Sequence, residues 1–362
     1  MGMFVGIMDL RIKDGKAQLE SYKLVECDSR IPEDPAVAAY VDRFKQKVNR
    51  EYLAGMNYTM DEVICYNPYR FDTVNEMYDA NYEFPMGNLI ADAYRYKAVQ
   101  CGVNDIDLAI VALGTIRDNF TKGNVNVEDV FEVCSLGSGR DGSLGHNLVV
   151  GYITGKELKL LTELDSSLGP LKGHIKMSYS GIKYRYNTRR IILDRVTTVG
   201  LDHGELLELI EDDKMYKICC NMYAVNMLSM LNGMTKGLLS IAPKDEEGNV
   251  ITDFNEYILK DRQGNDVKEW VALADYMSAF SIGEDGVKEI PAAYSGPLGR
   301  KVAYSMGGRY IISSPGTITR IAEAVLVVLA VLLVLIIVLI KKLVMYVGRR
   351  SLKTVKNGKQ KP

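Results

Sequence analysis

The sequence has few of the residues that hold catalytic metal ions. Its 362 residues include only three histidines, His146, His174 and His203, and none of them lies at a ligand spacing such as HxxxH. A two-metal hydrolytic centre needs several His and Asp ligands to hold two ions about 3.5–4 Å apart. The sequence therefore predicts no metal site and no catalytic residue for such a reaction in this chain.

The six cysteines do not form a recognisable framework. They are spread over the whole length, and two of them are adjacent, which disfavours a disulfide between those two. There is no CxxC motif, which disfavours a zinc ribbon. We interpret the cysteines as small apolar core residues. They are Cys27, Cys65, Cys101, Cys134, Cys219 and Cys220.

Acidic residues are absent from the last part of the chain. All 46 acidic residues and 36 of the 44 basic residues lie before Lys341, which gives this part a net charge of −10. The last eight basic residues, from Lys341 onward, are accompanied by no acidic residue. An acidic body argues against nucleic-acid binding by the body, and a basic tail is typical of a segment close to a membrane.

A long apolar run precedes the basic tail. It begins at Ala324 and ends at Ile340, and it contains no polar stripe. A spanning helix needs about 20 apolar residues, and snorkelling of the flanking lysines covers the difference. The sequence predicts a single transmembrane helix that passes through a lipid bilayer. Because the basic residues follow it, the tail is expected in the cytoplasm and the body outside the cell.

The region between residues 84 and 158 contains the most specific pattern. Pro85 suits a first helical turn, because its missing N–H would be unpaired there. The apolar run from Ile106 to Leu113 ends at a glycine and predicts a strand buried on both faces. Arg117 follows the C-terminal end of this strand, where α/β proteins usually bind ligands. An arginine beside glycines at such a place predicts contact with an anion.

Three motifs in this region carry a resemblance. Residues 87–93 read Gly-Asn-Leu-Ile-Ala-Asp-Ala, residues 114–117 read Gly-Thr-Ile-Arg, and residues 154–158 read Thr-Gly-Lys-Glu-Leu. The motifs resemble those of the C-terminal, substrate-binding domain of the bacterial 5'-nucleotidase / 2',3'-cyclic phosphodiesterase family, over residues 1–230. The resemblance implies an α+β fold, a layered mixed-sheet 5'-nucleotidase C-terminal-like domain followed by one C-terminal transmembrane helix.

The resemblance also implies four substrate-binding residues and a nucleoside or nucleotide ligand. Arg117 would pair with a substrate anion, and Gly181 would let the ligand approach closely. Asn221 matches a family asparagine, and Tyr223 takes the place of a phenylalanine that stacks on the base. Stacking of a base on an aromatic ring contributes about 1–3 kcal/mol in comparable sites.

The sequence departs from the family at other substrate contacts. Two arginines that contact the phosphate in the family align with Glu76 and Ala80, and a carboxylate facing a phosphate is repulsive. The family's Gly-Gly-Asp is replaced by Met-Leu-Ser at residues 227–229, and a second stacking phenylalanine is replaced by Leu136 or Leu144. These departures favour a domain that has lost substrate contacts.

A glycine-rich loop covers residues 135–147. Glycine clusters can hold an anion with backbone N–H groups, and a plain flexible loop is the alternative. No helix beginning with Lys and Ser or Thr follows the loop, so a P-loop is excluded.

The predicted organisation starts with a hairpin, because Asp14-Gly15 is a strong turn signal between two strand-like runs. In the family, such a hairpin is the last piece of the metallophosphatase domain. The predicted parts are residues 1–30, a remnant hairpin of that domain; 31–56, a linker helix; 57–281, the 5'-nucleotidase C-terminal-like domain; 282–320, a stalk; 321–347, the transmembrane helix; and 348–362, a basic tail.

Two functional hypotheses follow. In the first, the chain is the nucleotide-recognition half of a membrane-anchored 5'-nucleotidase-like phosphoric-ester hydrolase of nucleotide catabolism, inactive as this chain alone. Divalent metals would then be held by a separate metallophosphatase domain, since the Asp-x-His, Gly-Asn-His-Glu and Gly-His-x-His motifs are absent here. Met1 begins directly in the hairpin without a signal peptide, so we expect a truncated form of a longer protein. In the second, the domain is a non-catalytic surface binding or scaffold module.

Overall fold

The computed structural model describes residues 4–28, 30–79, 83–234, 240–283, 286–312 and 315–358. The chain divides into two compact units, Met1–Glu62 and Val63–Pro362. The division lies close to residue 57, where the sequence predicted the start of the substrate-binding domain. Each unit is described by itself.

The first unit opens with a long hairpin of two antiparallel strands, β1 (Phe4–Lys13) and β2 (Lys16–Glu26). The turn residues Asp14 and Gly15 have φ values of 51° and 73°, as the favoured two-residue hairpin turn requires. The hairpin predicted from this dipeptide is confirmed. Cross-strand pairs place exposed apolar side chains on one face, among them Met8, Leu10, Leu19, Tyr22 and Leu24.

An α-helix, α1 (Pro35–Glu51), follows within the first unit. The Asp34 carboxylate caps it by accepting the backbone N–H groups of Ala36 at 2.8 Å and Val37 at 3.1 Å. Pro35 occupies the first turn, where it costs no hydrogen bond. The helix occupies most of the predicted linker segment, residues 31–56.

The second unit is built on a mixed four-stranded sheet, called here the central sheet. Its strands are β4 (Leu108–Ala112), β6 (Leu148–Thr154), β7 (Met177–Ser180) and β11 (Met215–Asn221). Their order is β6-β11-β4-β7. The β11 strand runs parallel to β4, whereas β6 and β7 run antiparallel to their neighbours. All five residues of β4 are buried, which explains its unbroken apolar sequence.

Helices cover both faces of the central sheet. On one face, α3 (Pro85–Gln100) packs on β4 and β7 and against α7 (Glu269–Ser278). On the other face, α5 (Gly155–Leu168) and α6 (Met222–Met234) contribute to a core that includes Leu108, Ile110, Leu161 and Val225. The helix predicted to begin at Pro85 is confirmed as α3.

A second four-stranded sheet contributes to the same core through Tyr184, Tyr186, Val199 and Leu201. Its strands are β8 (Ile182–Asn187), β9 (Val196–Asp202), β10 (Leu207–Leu209) and β12 (Lys301–Tyr304), in the order β10-β9-β8-β12. The remaining short elements are β3 (Val63–Asn67), which pairs with β5 (Gly123–Asn126), and the helices α2 (Val74–Asp79), α4 (Val127–Val133) and α8 (Arg309–Ile312). These elements establish the α+β fold with layered mixed sheets.

Residues 290–304 form a strap that is packed into the second unit. Ile290 and Tyr294 are buried, and β12 extends the second sheet by pairing in parallel with β8. The sequence predicted a stalk over residues 282–320, and the structure instead makes 290–304 part of the folded body. Local composition carries no information about the long-range partners that hold this segment.

Buried and half-buried carboxylates hold the strap. Glu83 is 2% exposed and accepts the backbone N–H groups of Leu298 at 3.0 Å and Arg300 at 2.7 Å. The Arg300 guanidinium group donates to both oxygens of Asp92, each at 2.8 Å. Lys301 pairs with the buried Asp165 at 2.8 Å. Charge-assisted hydrogen bonds of this kind are about twice as strong as neutral ones.

The last element is a helix of 42 residues, α9 (Thr317–Gly358). Its segment Thr319–Met345 is long and apolar enough to cross a membrane, and its side chains from Ile321 to Met345 are exposed. This helix matches the transmembrane helix predicted at residues 321–347 in position and character, and it is compatible with a single-pass anchor.

Candidate ligand-binding edge of the central sheet

Several loops meet at one edge of the central sheet, called here the binding edge. The parallel strands β4 and β11 both end there. The β6 strand begins there, since Leu148 pairs with Asn221, and β7 begins there, since Met177 pairs with Ala112. The edge therefore receives the segments after β4 and β11 and the glycine-rich loop 135–147 before β6. Ligands commonly bind at such an edge, where parallel strands end.

Arg117 lies at the binding edge with an exposed side chain. A short turn, Leu113–Thr115, carries the chain out of β4, and a Cβ on Gly114 would come within 2.7 Å of the His174 carbonyl oxygen. The Arg117 backbone N–H donates to Val133 at 2.9 Å. Within the described residues, no hydrogen bond or ion pair engages its guanidinium group. The charge is therefore available to an anionic ligand.

Asn221 is fully buried at the end of β11. Its side-chain oxygen accepts the Ala224 backbone N–H at 3.0 Å and so supports the first turn of α6. Its side-chain nitrogen donates to Glu269 at 2.7 Å. Both polar atoms thus serve the protein's own structure, and the substrate-binding role of Asn221 stays a prediction.

Tyr223 lies in the first turn of α6, half-buried, with its ring 6.0 Å from the ring of His146 at an angle of 42°. A Cβ on Gly137 would collide with the imidazole, so the glycine lets the loop close over His146. Burial, followed by the nearby Lys268 charge, lowers the pKa of His146. The imidazole is therefore neutral at neutral pH. Two aromatic rings side by side offer a surface on which a base can stack.

The glycine-rich loop is fastened by Lys268, which is 1% exposed. Its ammonium group donates to Asp141 at 2.8 Å and to the carbonyl oxygens of Ser143 at 3.1 Å and Gly145 at 3.3 Å. Partial burial disfavours the charged form of Asp141, but the hydrogen bonds from Lys268 and Ser143 outweigh it and lower its pKa to about 2. The loop is thus held in one conformation by a buried cation.

Glu269 lies beneath the loop and is fully buried. Its carboxylate accepts hydrogen bonds from the Tyr94 hydroxyl at 2.5 Å and from Asn221, and its backbone N–H donates to His146 at 2.9 Å. Burial raises the pKa of Glu269 to about 7, against the effect of these hydrogen bonds. The carboxyl group is therefore partly protonated at neutral pH.

No local signal in the sequence pointed to Lys268 or Glu269. They lie more than 120 residues from the loop they support and about 50 from Asn221. Their side chains are charged, and charged residues are almost never fully buried unless they are paired. Only the folded chain brings them to the binding edge.

Gly181 lies at the opposite edge of the central sheet. Gly181 follows Ser180, the last residue of β7, which pairs with Ala109. Gly181 therefore lies about four residues, or roughly 13 Å, from the end of β4. Its φ is 85°, and a Cβ would collide with the Asp107 carbonyl oxygen. The structure thus brings Arg117, Asn221 and Tyr223 to one edge and does not bring Gly181 there. The glycine permits a close approach of the chain to itself.

Glu76 and Ala80 align with the two arginines that contact phosphate in the family, and the structure describes only Glu76. Glu76, at the start of α2, accepts the Thr73 backbone N–H at 2.8 Å and pairs with Arg70 at 2.5 Å. Ala80 and the side chain of Ser229 lie outside the described residues. Leu144, one of the two candidates for the stacking position, is 58% exposed.

In the part of the chain that the structure describes, no group of three or more His, Cys, Asp or Glu side chains is placed to hold a metal ion. The three histidines are dispersed, and the buried carboxylates of the described second unit, Glu83, Asp165, Asp194 and Glu269, are engaged by Arg190, Lys301, Asn221 or backbone N–H groups. The lack of a metal in this chain stays a prediction.

Comparisons with known proteins agree with the fold of the second unit. Residues 70–231 match the family model of the 5'-nucleotidase C-terminal domain. The fold is similar to that of the 5'-nucleotidase precursor from Thermus thermophilus, with a TM-score of 0.54, 20% identity and coverage of 84% of this chain and 51% of that one. A comparison with curated proteins finds no match.

Two further solved structures show weaker similarity. The NAD nucleotidase of Haemophilus influenzae has a TM-score of 0.45 and 14% identity, and the match covers 84% of this chain and 54% of that one. A putative 5'-nucleotidase of Staphylococcus aureus in complex with alpha-ketoglutarate has a TM-score of 0.41 and 19% identity, and the match covers 84% of this chain and 51% of that one. The chain spans about half the length of these structures. Residues 70–231, a little under half of the chain, thus carry the 5'-nucleotidase C-terminal domain.

Proposed function

We propose that the chain is the nucleotide-recognition half of a membrane-anchored 5'-nucleotidase-like phosphoric-ester hydrolase that acts in nucleotide catabolism. The observation that carries the proposal is the exposed Arg117 guanidinium group, which lacks a partner within the described residues and lies at the same sheet edge as Tyr223. A cation and an aromatic ring at one edge suit a phosphate and a base.

The roles at the binding edge follow from the contacts described above. Arg117 binds the phosphate, and a planar guanidinium group can do so through two parallel hydrogen bonds. Tyr223, supported by the ring of His146, stacks on the base. Lys268 holds the glycine-rich loop beside them, so little loop ordering opposes binding.

Chemistry on the bound phosphate needs a partner. Activation of water for phosphoester hydrolysis by this class of enzyme uses two held cations, and the proposal assigns those cations to a separate metallophosphatase domain. The exposed apolar face of the β1–β2 hairpin supports such a partner, because a two-stranded hairpin is marginally stable by itself. The chain alone is expected to release no phosphate from AMP in the presence of Mn²⁺. Metal-dependent turnover by the purified chain would contradict this.

The anchor is α9. Its apolar segment supports insertion into a bilayer, and the basic residues that follow support a cytoplasmic C-terminus with the body outside the cell. Protease protection of the C-terminal tail in sealed, right-side-out vesicles tests the orientation. If the tail is cleaved while the body stays intact and protected, the orientation is the opposite of the one proposed.

Calorimetric titration of three variants tests nucleotide recognition. Arg117→Ala removes a charge-assisted contact of about 1.5–3 kcal/mol, so its affinity for AMP is expected to fall about 10- to 100-fold while its affinity for adenosine stays unchanged. Tyr223→Ala is expected to weaken both ligands. Arg262→Ala is the matched control, since it removes an exposed arginine from a turn between residues 261 and 265. Equal AMP affinity of Arg117→Ala and Arg262→Ala would contradict the assignment.

A second candidate is a non-catalytic surface binding or scaffold module. Two observations favour it: both polar atoms of the Asn221 side chain are engaged within the protein, and Glu76 occupies a position that contacts phosphate in the family. Under this alternative, neither AMP nor adenosine binds at millimolar concentration to the unaltered chain.

A further inference from the structure

The start of α9 is attached to the body by direct contacts. The Thr319 hydroxyl, in the first turn of the helix, donates a hydrogen bond to the Asp194 carboxylate. A Cβ on Gly316 would collide with the same carboxylate, so the chain passes close over Asp194 before the helix. From Ile321 onward the described side chains of the helix are exposed. The helix thus leaves the body at Asp194.

Asp194 belongs to the loop of residues 188–195 between β8 and β9, which several polar contacts attach to the body. Asp194 and Arg190 form a 2.8 Å ion pair with side chains 4% and 3% exposed. Leu193 has a positive φ of 64°, and its N–H donates to the Ser167 hydroxyl at 2.9 Å. The Arg195 N–H donates to Glu163 at 2.9 Å. The loop therefore has a fixed position relative to the first turn of α9.

The same loop exposes apolar side chains at its tip. Ile191 is 45% and Ile192 is 47% exposed, although neighbouring Arg190 and Asp194 are buried. Met306, 47% exposed, lies beside the loop, because its backbone exchanges two hydrogen bonds with the Asn187 side chain at 2.8 and 3.2 Å. Exposed apolar groups are thus gathered around the start of a helix that suits a membrane.

Two arginines accompany these apolar groups. Arg189 is exposed, donates to the Ser305 hydroxyl at 3.0 Å and lies near Gly307. Arg320 is exposed in the first turn of α9. We call the five residues Arg189, Ile191, Ile192, Met306 and Arg320 the collar surface. Apolar groups with basic neighbours are the composition that binds the interface of an anionic bilayer.

The length of α9 sets the height of the collar surface above the hydrocarbon. Thr319 precedes Ala324, the start of the unbroken apolar run, by five residues or about 7.5 Å of helix. The headgroup layer on each side of a bilayer is about 5–8 Å thick. Because Asp194 contacts Thr319, the tip of the 188–195 loop lies at the level of the headgroups when α9 spans the bilayer.

We propose that the collar surface docks on the headgroup layer of the bilayer that α9 spans and so holds the body directly on the membrane in one orientation. The inference rests on the membrane anchoring proposed above and adds a second, peripheral contact to it. A lipid surface fits better than a protein partner, because the helix places the bilayer there without a further binding event.

Tryptophan quenching in nanodiscs that hold the full chain tests the proposal. The native Trp270 is fully buried and serves as a constant background. The probe variant is Ile192→Trp. The matched control is Leu206→Trp, which replaces another exposed apolar residue, 67% exposed, at the far end of β9. Each variant is compared in nanodiscs of brominated and unbrominated phosphatidylcholine with phosphatidylserine.

Interfacial side chains reach about 5–10 Å into the headgroup and acyl boundary, so brominated lipid is expected to lower the added emission of Ile192→Trp about two-fold. Emission of Leu206→Trp is expected to stay the same. Thr319→Val, combined with Ile192→Trp, should reduce the quenching because it removes the hydrogen bond to Asp194. Equal quenching of the two single variants, in chains that are incorporated into the discs, would overturn the docking alone. Failure of the unaltered chain to enter the discs would overturn the anchoring and the docking together.

Discussion

Replacement of Lys268 by methionine tests how the glycine-rich loop is held. Methionine keeps the length of the side chain but removes the ammonium group that contacts Asp141, Ser143 and Gly145. The carbonyl oxygens of Ser143 and Gly145 each lose a hydrogen bond worth about 1 kcal/mol. Asp141 also loses the largest of the interactions that together lower its pKa from 3.8 to about 2, while its hydrogen bonds from Ser143 remain.

That pKa shift corresponds to about 2.5 kcal/mol before screening. The Asp141 side chain is 53% exposed, and solvent reduces such contributions, so we take about 1 kcal/mol. The total cost of Lys268→Met is then about 2–3 kcal/mol in the free energy of unfolding, or a fall of about 4–6 °C in Tm. Because the folded pKa of Asp141 is lowered, its part of the stability is present above about pH 4 and is lost as the pH falls toward 2.

Thermal unfolding and hydrogen–deuterium exchange measure the effect. Exchange should rise at the amides of Gly139 and Gly145, which bond to Ser143 and Gly137 within the loop. Lys260→Met is the matched control, because Lys260 is 42% exposed and pairs with Asp266 at the surface, where such pairs contribute about 0–1 kcal/mol. If Lys268→Met and Lys260→Met lose the same stability and the loop amides exchange as before, the buried lysine does not fasten the loop.

Two further substitutions have expected outcomes that unfolding measurements can check. Burial raises the pKa of Glu269 to about 7. The free energy of unfolding is therefore expected to fall by about 3 kcal/mol as the pH rises from 4.5 to 8, and Glu269→Gln should remove this pH dependence. An unchanged pH dependence in Glu269→Gln would show that Glu269 titrates normally. Gly181→Ala should lower the free energy of unfolding by about 2–4 kcal/mol, because the new Cβ would collide with Asp107. Gly264→Ala is the control: its φ is 88° and no atom lies within 4 Å, so it should cost only about 1 kcal/mol of backbone strain. Equal costs would mean that the backbone around Gly181 shifts to accept the Cβ.

Local signals in the sequence were sufficient for several elements. Asp14-Gly15 predicted the hairpin because only a few residues accept positive φ at both turn positions. Pro85 predicted the start of α3, and the apolar run ending at Leu113 predicted a strand covered on both faces. These features depend on neighbouring residues, so they can be read without knowledge of the fold.

Long-range features could not be predicted in this way. The strap at residues 290–304 is held by Glu83, Asp92 and Asp165, which lie more than 100 residues before it. The position of Gly181 depends on the antiparallel direction of β7, which local sequence does not determine. Asn221 and Arg117 do meet at one edge, because β4 and β11 are parallel neighbours.

The central claim is that the binding edge recognises a nucleotide through a phosphate contact and a stacked base. Titration calorimetry of the unaltered chain with AMP, adenosine and inorganic phosphate tests it most directly. Micromolar binding of AMP, weaker binding of adenosine and negligible binding of phosphate alone are the predicted results. Absence of heat with AMP at millimolar concentration would contradict the claim and favour the scaffold alternative.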